Sequence, residues 1–166
     1  MMRRLLVAAV LAVSLISPSI THADVKTGEA AYNRGDYTAA LREWQPLANA
    51  GDSVARVAVG LLHERGQGVA QDYRKALGWY RKAADQKLPS AYYRLGLAYQ
   101  EGRGVTRNRV EAARWYRKAA DKDHAASLHR LGLVYQNGEG VAQDPGEAAD
   151  LFFQAATTSN HAPSQF

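Results

Sequence analysis

Cysteine is absent from all 166 residues. No disulfide can staple this chain and no thiolate can hold a metal, so its stability has to come from packing alone. The same absence excludes a lipid-modified N-terminal cysteine. Long apolar runs are scarce as well. One, from Leu5 to Ile16, is broken only by Ser14, and it falls short of the ~20 residues that a membrane span needs. It follows Arg3 and Arg4 and precedes Thr21-His22-Ala23, the arrangement of a cleaved secretory signal peptide. The expectation is removal of residues 1–23, a mature chain from Asp24 without a membrane span, and a periplasmic or secreted location. No run of one charge sign is long enough to suggest a disordered tail.

What the sequence does contain is a repeat. Trp79-Tyr80-Arg81-Lys82-Ala83-Ala84-Asp85 returns unchanged, 36 residues on, as Trp115-Tyr116-Arg117-Lys118-Ala119-Ala120-Asp121. Gly60, Gly96 and Gly132 keep that spacing, as do Gly66, Gly102 and Gly138, and Gly68, Gly104 and Gly140. A fixed period of this length predicts an all-α solenoid of two-helix units. The units run 51–86, 87–122 and 123–158, after a partial repeat over 24–50 and before a polar tail over 159–166.

Within each unit the pattern reads helix, loop, helix. Ala55, Val59, Leu62 and His63 share one helical stripe, matched by Ala91, Leu95, Ala98 and Tyr99 and by Ser127, Leu131, Val134 and Tyr135. Gly60, Gly96 and Gly132 fall mid-helix, where glycine costs about 1 kcal/mol relative to alanine. Their recurrence predicts a close approach of the neighbouring helix backbone. Gly66, Gly102 and Gly138 are placed to end the first helix, and Asp72, Asn108 and Asp144 to cap the second. Second-helix stripes are Ala76, Trp79, Tyr80 and Ala83, then Ala112, Trp115, Tyr116 and Ala119, then Ala148, Leu151, Phe152 and Ala155. In the leading unit, Glu29 to Asn33 and Tyr37 to Ala48 read as helices, with Pro46 expected to kink or shorten the second.

The run Ala91, Leu95-Gly96, Tyr99, Gly102-Arg103-Gly104-Val105, Asn108, Ala112 and Trp115-Tyr116-Arg117-Lys118-Ala119-Ala120 resembles the Sel1-like repeat family, relatives of the tetratricopeptide repeats. Residues 55–156 carry the resemblance. The leader from Gly35-Asp36-Tyr37 to Trp44-Gln45-Pro46-Leu47-Ala48 is similar to the first unit of exported bacterial members. The resemblance implies a right-handed α/α superhelix whose concave face is lined by the first helix of each unit, and a role as an adaptor. A cysteine-rich branch has been credited with binding and hydrolysing penicillin-like compounds. That branch staples each repeat with a disulfide, so its activity is not carried over to this chain.

Neither a catalytic group nor a metal or cofactor site is expected. Ser53, Ser90 and Ser127 fall at or near first-helix starts, where serine commonly caps. His63 stands in the slot of Tyr99 and Tyr135 and reads as a packed core residue, and His124 and His129 are five apart, off the spacing that aligns two ligands. Binding is the better reading. First-helix positions that differ between repeats are those that packing does not dictate, and they nominate Tyr93, Arg94, Gln100, His129, Arg130 and Gln136 as a groove for a protein or peptide. A basic block of Arg103, Arg107, Arg109, Arg114, Arg117 and Lys118 could hold an anion or merely complement helix ends. Nucleic acid is not expected. At the C-terminal end, Leu151, Phe152 and Phe153 are expected to form an apolar strip for self-association or docking. Alternatives are an envelope glycan-binding module and, more remotely, a β-lactamase-like hydrolase.

Overall fold

A short acceptor side chain starts most of the helices. Asp36, Asp52, Asp72, Asn108 and Asp144 each accept a hydrogen bond from the backbone N–H three residues on, at 2.7–3.0 Å. These contacts satisfy donors that the first helical turn leaves unpaired. Glycine ends the first helix of every unit in the array: Gly66, Gly102 and Gly138 sit at φ 68°, 76° and 67°, bonded to the carbonyls of Leu62, Ala98 and Val134. The computed structural model describes residues 22–159. The expected signal peptide lies outside them apart from its last two residues, as does all of the polar tail after residue 159.

Eight helices and no strand occur among the described residues: α1 (His22–Asn33), α2 (Tyr37–Ala50), α3 (Ser53–Arg65), α4 (Tyr73–Ala84), α5 (Pro89–Glu101), α6 (Arg109–Ala120), α7 (Ala125–Asn137) and α8 (Pro145–Ser159). They pair as α1 with α2, α3 with α4, α5 with α6 and α7 with α8, and each second helix packs on the following first helix. The result is the all-α solenoid of helix pairs expected from the period. Two boundaries differ from expectation. Helix α1 begins seven residues before Glu29, and α2 runs through Pro46 to Ala50 without being shortened.

The interior is built of alanines facing aromatics. Ala76, Ala83, Ala112 and Ala119 are at most 2% exposed, alongside Tyr80 at 1% and Tyr116 at 0%. Trp79 and Trp115 do not belong to that stripe: both are half-buried, and Leu77, Ala84, Ala113 and Ala120 are buried in their place. The mid-helix glycines are explained by rings rather than by backbone. A Cβ at Gly60, Gly96 or Gly132 would come within 2.4–2.6 Å of the ring of Tyr80, Tyr116 or Phe152. Backbone contact belongs instead to the loop glycines. A Cβ at Gly104 would meet the Tyr73 carbonyl oxygen at 2.5 Å, and Gly68 and Gly140 stand in the same relation to Tyr37 and Arg109. Each loop thus seals against the start of the preceding unit's second helix.

The serines are not caps. Asp52 caps α3 ahead of Ser53, α5 enters through Leu88 and Pro89 with no side-chain cap bond, and Ser127 is fully buried in α7.

Candidate functional site

The second-helix tyrosines connect the core to the first-helix surface. Tyr80 donates its hydroxyl hydrogen to Glu64 Oε2 at 2.5 Å, and Tyr116 donates to Gln100 Oε1 at 2.5 Å. Burial, with the Glu64 charge behind it, pushes the Tyr80 pKa far up; burial does the same at Tyr116. Both phenols are therefore fixed neutral donors. Gln100, expected in the groove, spends its side-chain acceptor inside its own unit. In the third unit Phe152 has no hydroxyl, and Gln136 is accordingly exposed.

An arginine from the following unit acts on each of these phenols. Arg94 acts electrostatically on Tyr80, and Arg130 on Tyr116. Burial works against the Arg130 guanidinium, but a hydrogen bond with Tyr93 and the nearby charges outweigh it and raise its pKa. The Tyr93 ring lies 6.1 Å from that of Tyr116, 5.3 Å from that of His124, and 6.0 Å from the Arg94 guanidinium carbon. Tyr93, Arg94, Gln100 and Arg130 thus fall in one neighbourhood: Gln100 holds Tyr116, Tyr93 neighbours Tyr116 and Arg94, and the two arginines act on Tyr80 and Tyr116. His129 sits apart, exposed, with its ring 5.3 Å from that of Phe152.

The basic block is spent on the chain itself. Arg103 pairs with Glu64 and Glu101, Arg109 with Glu139, Arg114 with Glu111 and Arg117 with Glu147. Arg107 donates to the Gln100 carbonyl, and Lys118 lies 4.1 Å over the Trp115 ring. Four of the block's six cations are thus neutralised from within. Arg94 and Arg130 differ: among the described residues neither forms an ion pair with a carboxylate. Sequence position alone could not separate these two arginines from the paired ones.

One pairing escaped the sequence reading. Ser127 Oγ lies 2.9 Å from His124 Nδ1, three residues away on the first turn of α7. A serine beside a histidine is the start of a nucleophilic site. Here Ser127 is 0% exposed, so no substrate carbonyl can reach it. Burial, followed by the charge of Arg94, lowers the His124 pKa. His63 is half-buried with its Nδ1 unpartnered, and burial followed by Lys75 lowers its pKa too. No group of three or more potential metal-ligating side chains occurs among the described residues.

The C-terminal strip is narrower than expected. Leu151 is buried, Phe152 is half-buried beneath Gly132, and Phe153 alone of the three is open, at 72%. Helical geometry turns Leu151 inward toward Ala148 and Ala155, three and four residues away.

Comparison with known proteins agrees with the fold. The Sel1 repeat model matches residues 53–88, 89–124 and 125–157. A Sel1 repeat protein from Oxalobacter formigenes superposes with a TM-score of 0.76 at 35% identity, covering 81% of this chain and 55% of that one. A protective antigen of uropathogenic Escherichia coli strains, displaying an SLR fold, gives a TM-score of 0.76 at 34% identity over 83% of this chain and 30% of its own. The chain therefore spans about half the length of the first relative and less than a third of the second. Cysteine-rich protein B of Helicobacter pylori shares the fold at 17% identity, with a TM-score of 0.57 over 82% of this chain and 92% of its own. No curated protein matches the chain.

Proposed function

This chain belongs to the Sel1 repeat family, and from that premise we propose that it is a non-enzymatic adaptor of the bacterial cell envelope that binds an acidic segment of a protein partner. Sel1 repeats commonly serve as protein–protein interaction modules. The observation that carries the finer reading is the pair Arg94 and Arg130. They occupy one slot of two successive units, act electrostatically on Tyr80 and Tyr116, and form none of the direct ion pairs that neutralise the neighbouring arginines, although Glu101 acts on Arg130 from further off. Repeated cations at one-unit spacing suit a partner that places carboxylates along an extended or helical segment. Tyr93 adds a rigid aromatic face between them. Export rests on Arg3, Arg4 and the apolar run before Thr21-His22-Ala23.

Crosslinking in living cells from a photoreactive residue at position 93, followed by mass spectrometry, identifies the partner. Replacing Arg94 and Arg130 together by Ala should weaken its capture by at least about a hundredfold, as losing two charge-assisted hydrogen bonds implies. The melting temperature should hardly move. Unchanged capture by the double variant overturns the assignment of this surface.

A further inference from the structure

The three spaces between successive units are equivalent by sequence but filled differently. Position 56 and its equivalents carry Arg56, Tyr92 and Leu128. Leu128 is 2% exposed and closes the last space. Tyr92 closes the middle one by stacking on Trp115, with ring centroids 5.7 Å apart. Arg56 does neither. Its Nε donates to the Ala48 carbonyl at 3.1 Å and its Nη1 to the Lys82 carbonyl at 3.1 Å, tying together the last turns of α2 and α4. The place beside Trp79 that a tyrosine ring takes in the next unit is left open. It forms a cavity of about 360 Å³ lined by Asn49, Arg56, Trp79, Lys82, Asp85 and Gln86, within the size range of small-ligand sites.

The chemistry of this cavity is mixed and close to neutral. Two cations, Arg56 and Lys82, face one acid, Asp85, and the negative ends of two helix dipoles, each about half a charge, offset the excess. Several polar atoms remain open after internal bonding. Asn49 accepts from Gln45 through Oδ1, leaving its amide N–H groups; Gln86 donates to the Gly51 carbonyl, leaving Oε1. Arg56 keeps Nη2. Apart from Trp79 and Ala48 the lining is polar, which would strand those groups against an aromatic side chain.

We propose that this cavity binds a neutral saccharide ring, seated against the Trp79 indole and hydrogen-bonded by Asn49, Arg56 and Gln86. A sugar suits it because its ring presents C–H groups to an indole while its rim offers hydroxyls that both donate and accept. Lys82, whose ammonium lies 4.5 Å from the Trp79 ring centroid, is exposed and flexible enough to swing aside. This site is separate from the Arg94–Arg130 surface and does not depend on it.

The chain has three tryptophans, so 5-fluorotryptophan labelling yields a readable fluorine spectrum, with Trp79→Phe assigning the resonance of interest. Titration with N,N′,N″-triacetylchitotriose, maltotriose and cellotriose should shift the Trp79 signal saturably with at least one sugar, leaving Trp44 and Trp115 unmoved. Arg56→Tyr, which installs the ring of the next unit, should abolish the shift. Asn49→Ala and Gln86→Ala, both at exposed positions, should weaken binding about tenfold each, as loss of a hydrogen bond implies, and they decide the matter if Arg56→Tyr fails to fold. An unmoved Trp79 with all three sugars overturns the proposal. So does a stronger shift with N-acetyl-tyrosinamide, which would mean an aromatic side-chain site, or with inorganic phosphate, which would mean an anion site.

Discussion

Lys87 holds φ at 61°, in the left-handed region, at the turn between α4 and α5. The same slot one unit earlier is Gly51, at φ 115°, and one unit later Asp123, at φ 55°. The turn demands this conformation each time, and the left-handed region costs an L-residue about 1–2 kcal/mol. Glycine avoids the cost, less what it loses in the unfolded chain. Lys87→Gly should therefore stabilise the protein by about 0.5–1 kcal/mol, read as a higher urea midpoint at unchanged slope. Asp123→Gly should gain less, since aspartate tolerates the region better. No gain at Lys87 would mean that its side chain contributes something the turn geometry does not show. The slot is visible in the sequence only as Gly, Lys and Asp at one spacing; that all three share a positive φ needed coordinates.

At the scale of the helix pair, glycine has two opposite meanings. Gly96 in α5 faces the fully buried ring of Tyr116 in α6, and that ring cannot retreat because its hydroxyl is tied to Gln100. Gly96→Ala should destabilise by about 1–3 kcal/mol, the range for overpacked cores. Gly78 in α4 has nothing within 4 Å of a built Cβ. Gly78→Ala should instead stabilise by up to about 1 kcal/mol from helix propensity. Thermal melts of the two variants must move in opposite directions; a common direction would show that pair packing is not what keeps Gly96. The sequence separated these glycines by recurrence alone. It assigned the wrong neighbour, because spacing shows that something approaches without showing whether it is backbone or ring.

Across the whole molecule, each unit covers the one before it. Leu77 and Ala113 are buried under the next unit, whereas Ala149 in their slot is exposed; Ala84 and Ala120 are likewise buried and Ala156 exposed. Arg81 and Arg117 reach the tyrosine hydroxyls of the following unit at 3.4 and 2.6 Å. Phe153 in that slot has no following unit among the described residues. Exposed apolar surface of this kind supports association. Phe153→Arg, restoring the residue type of the inner units, should leave the monomer folded and shift sedimentation toward smaller species at matched concentration. Identical profiles for the two proteins exclude self-association through this end.

The 36-residue period, the helix caps and the alternation of alanine with large aromatics were enough to determine an all-α solenoid, because each is local: a cap or a stripe acts within one or two turns and repeats with the chain. The interaction surface was legible only in outline. Tyr93, Arg94 and Arg130 stood out by variation, yet so did Gln100, which turned out to hold Tyr116; the basic block stood out by charge, yet four of its six residues turned out to be paired with Glu64, Glu101, Glu111, Glu139 and Glu147. Two of those ion pairs, Arg103–Glu101 and Arg114–Glu111, are local, but the phenol–acceptor bonds and the pairing of Arg103 with Glu64 join side chains 16 to 39 residues apart. Such contacts follow from how one unit turns onto the next, and only the tertiary structure decides that.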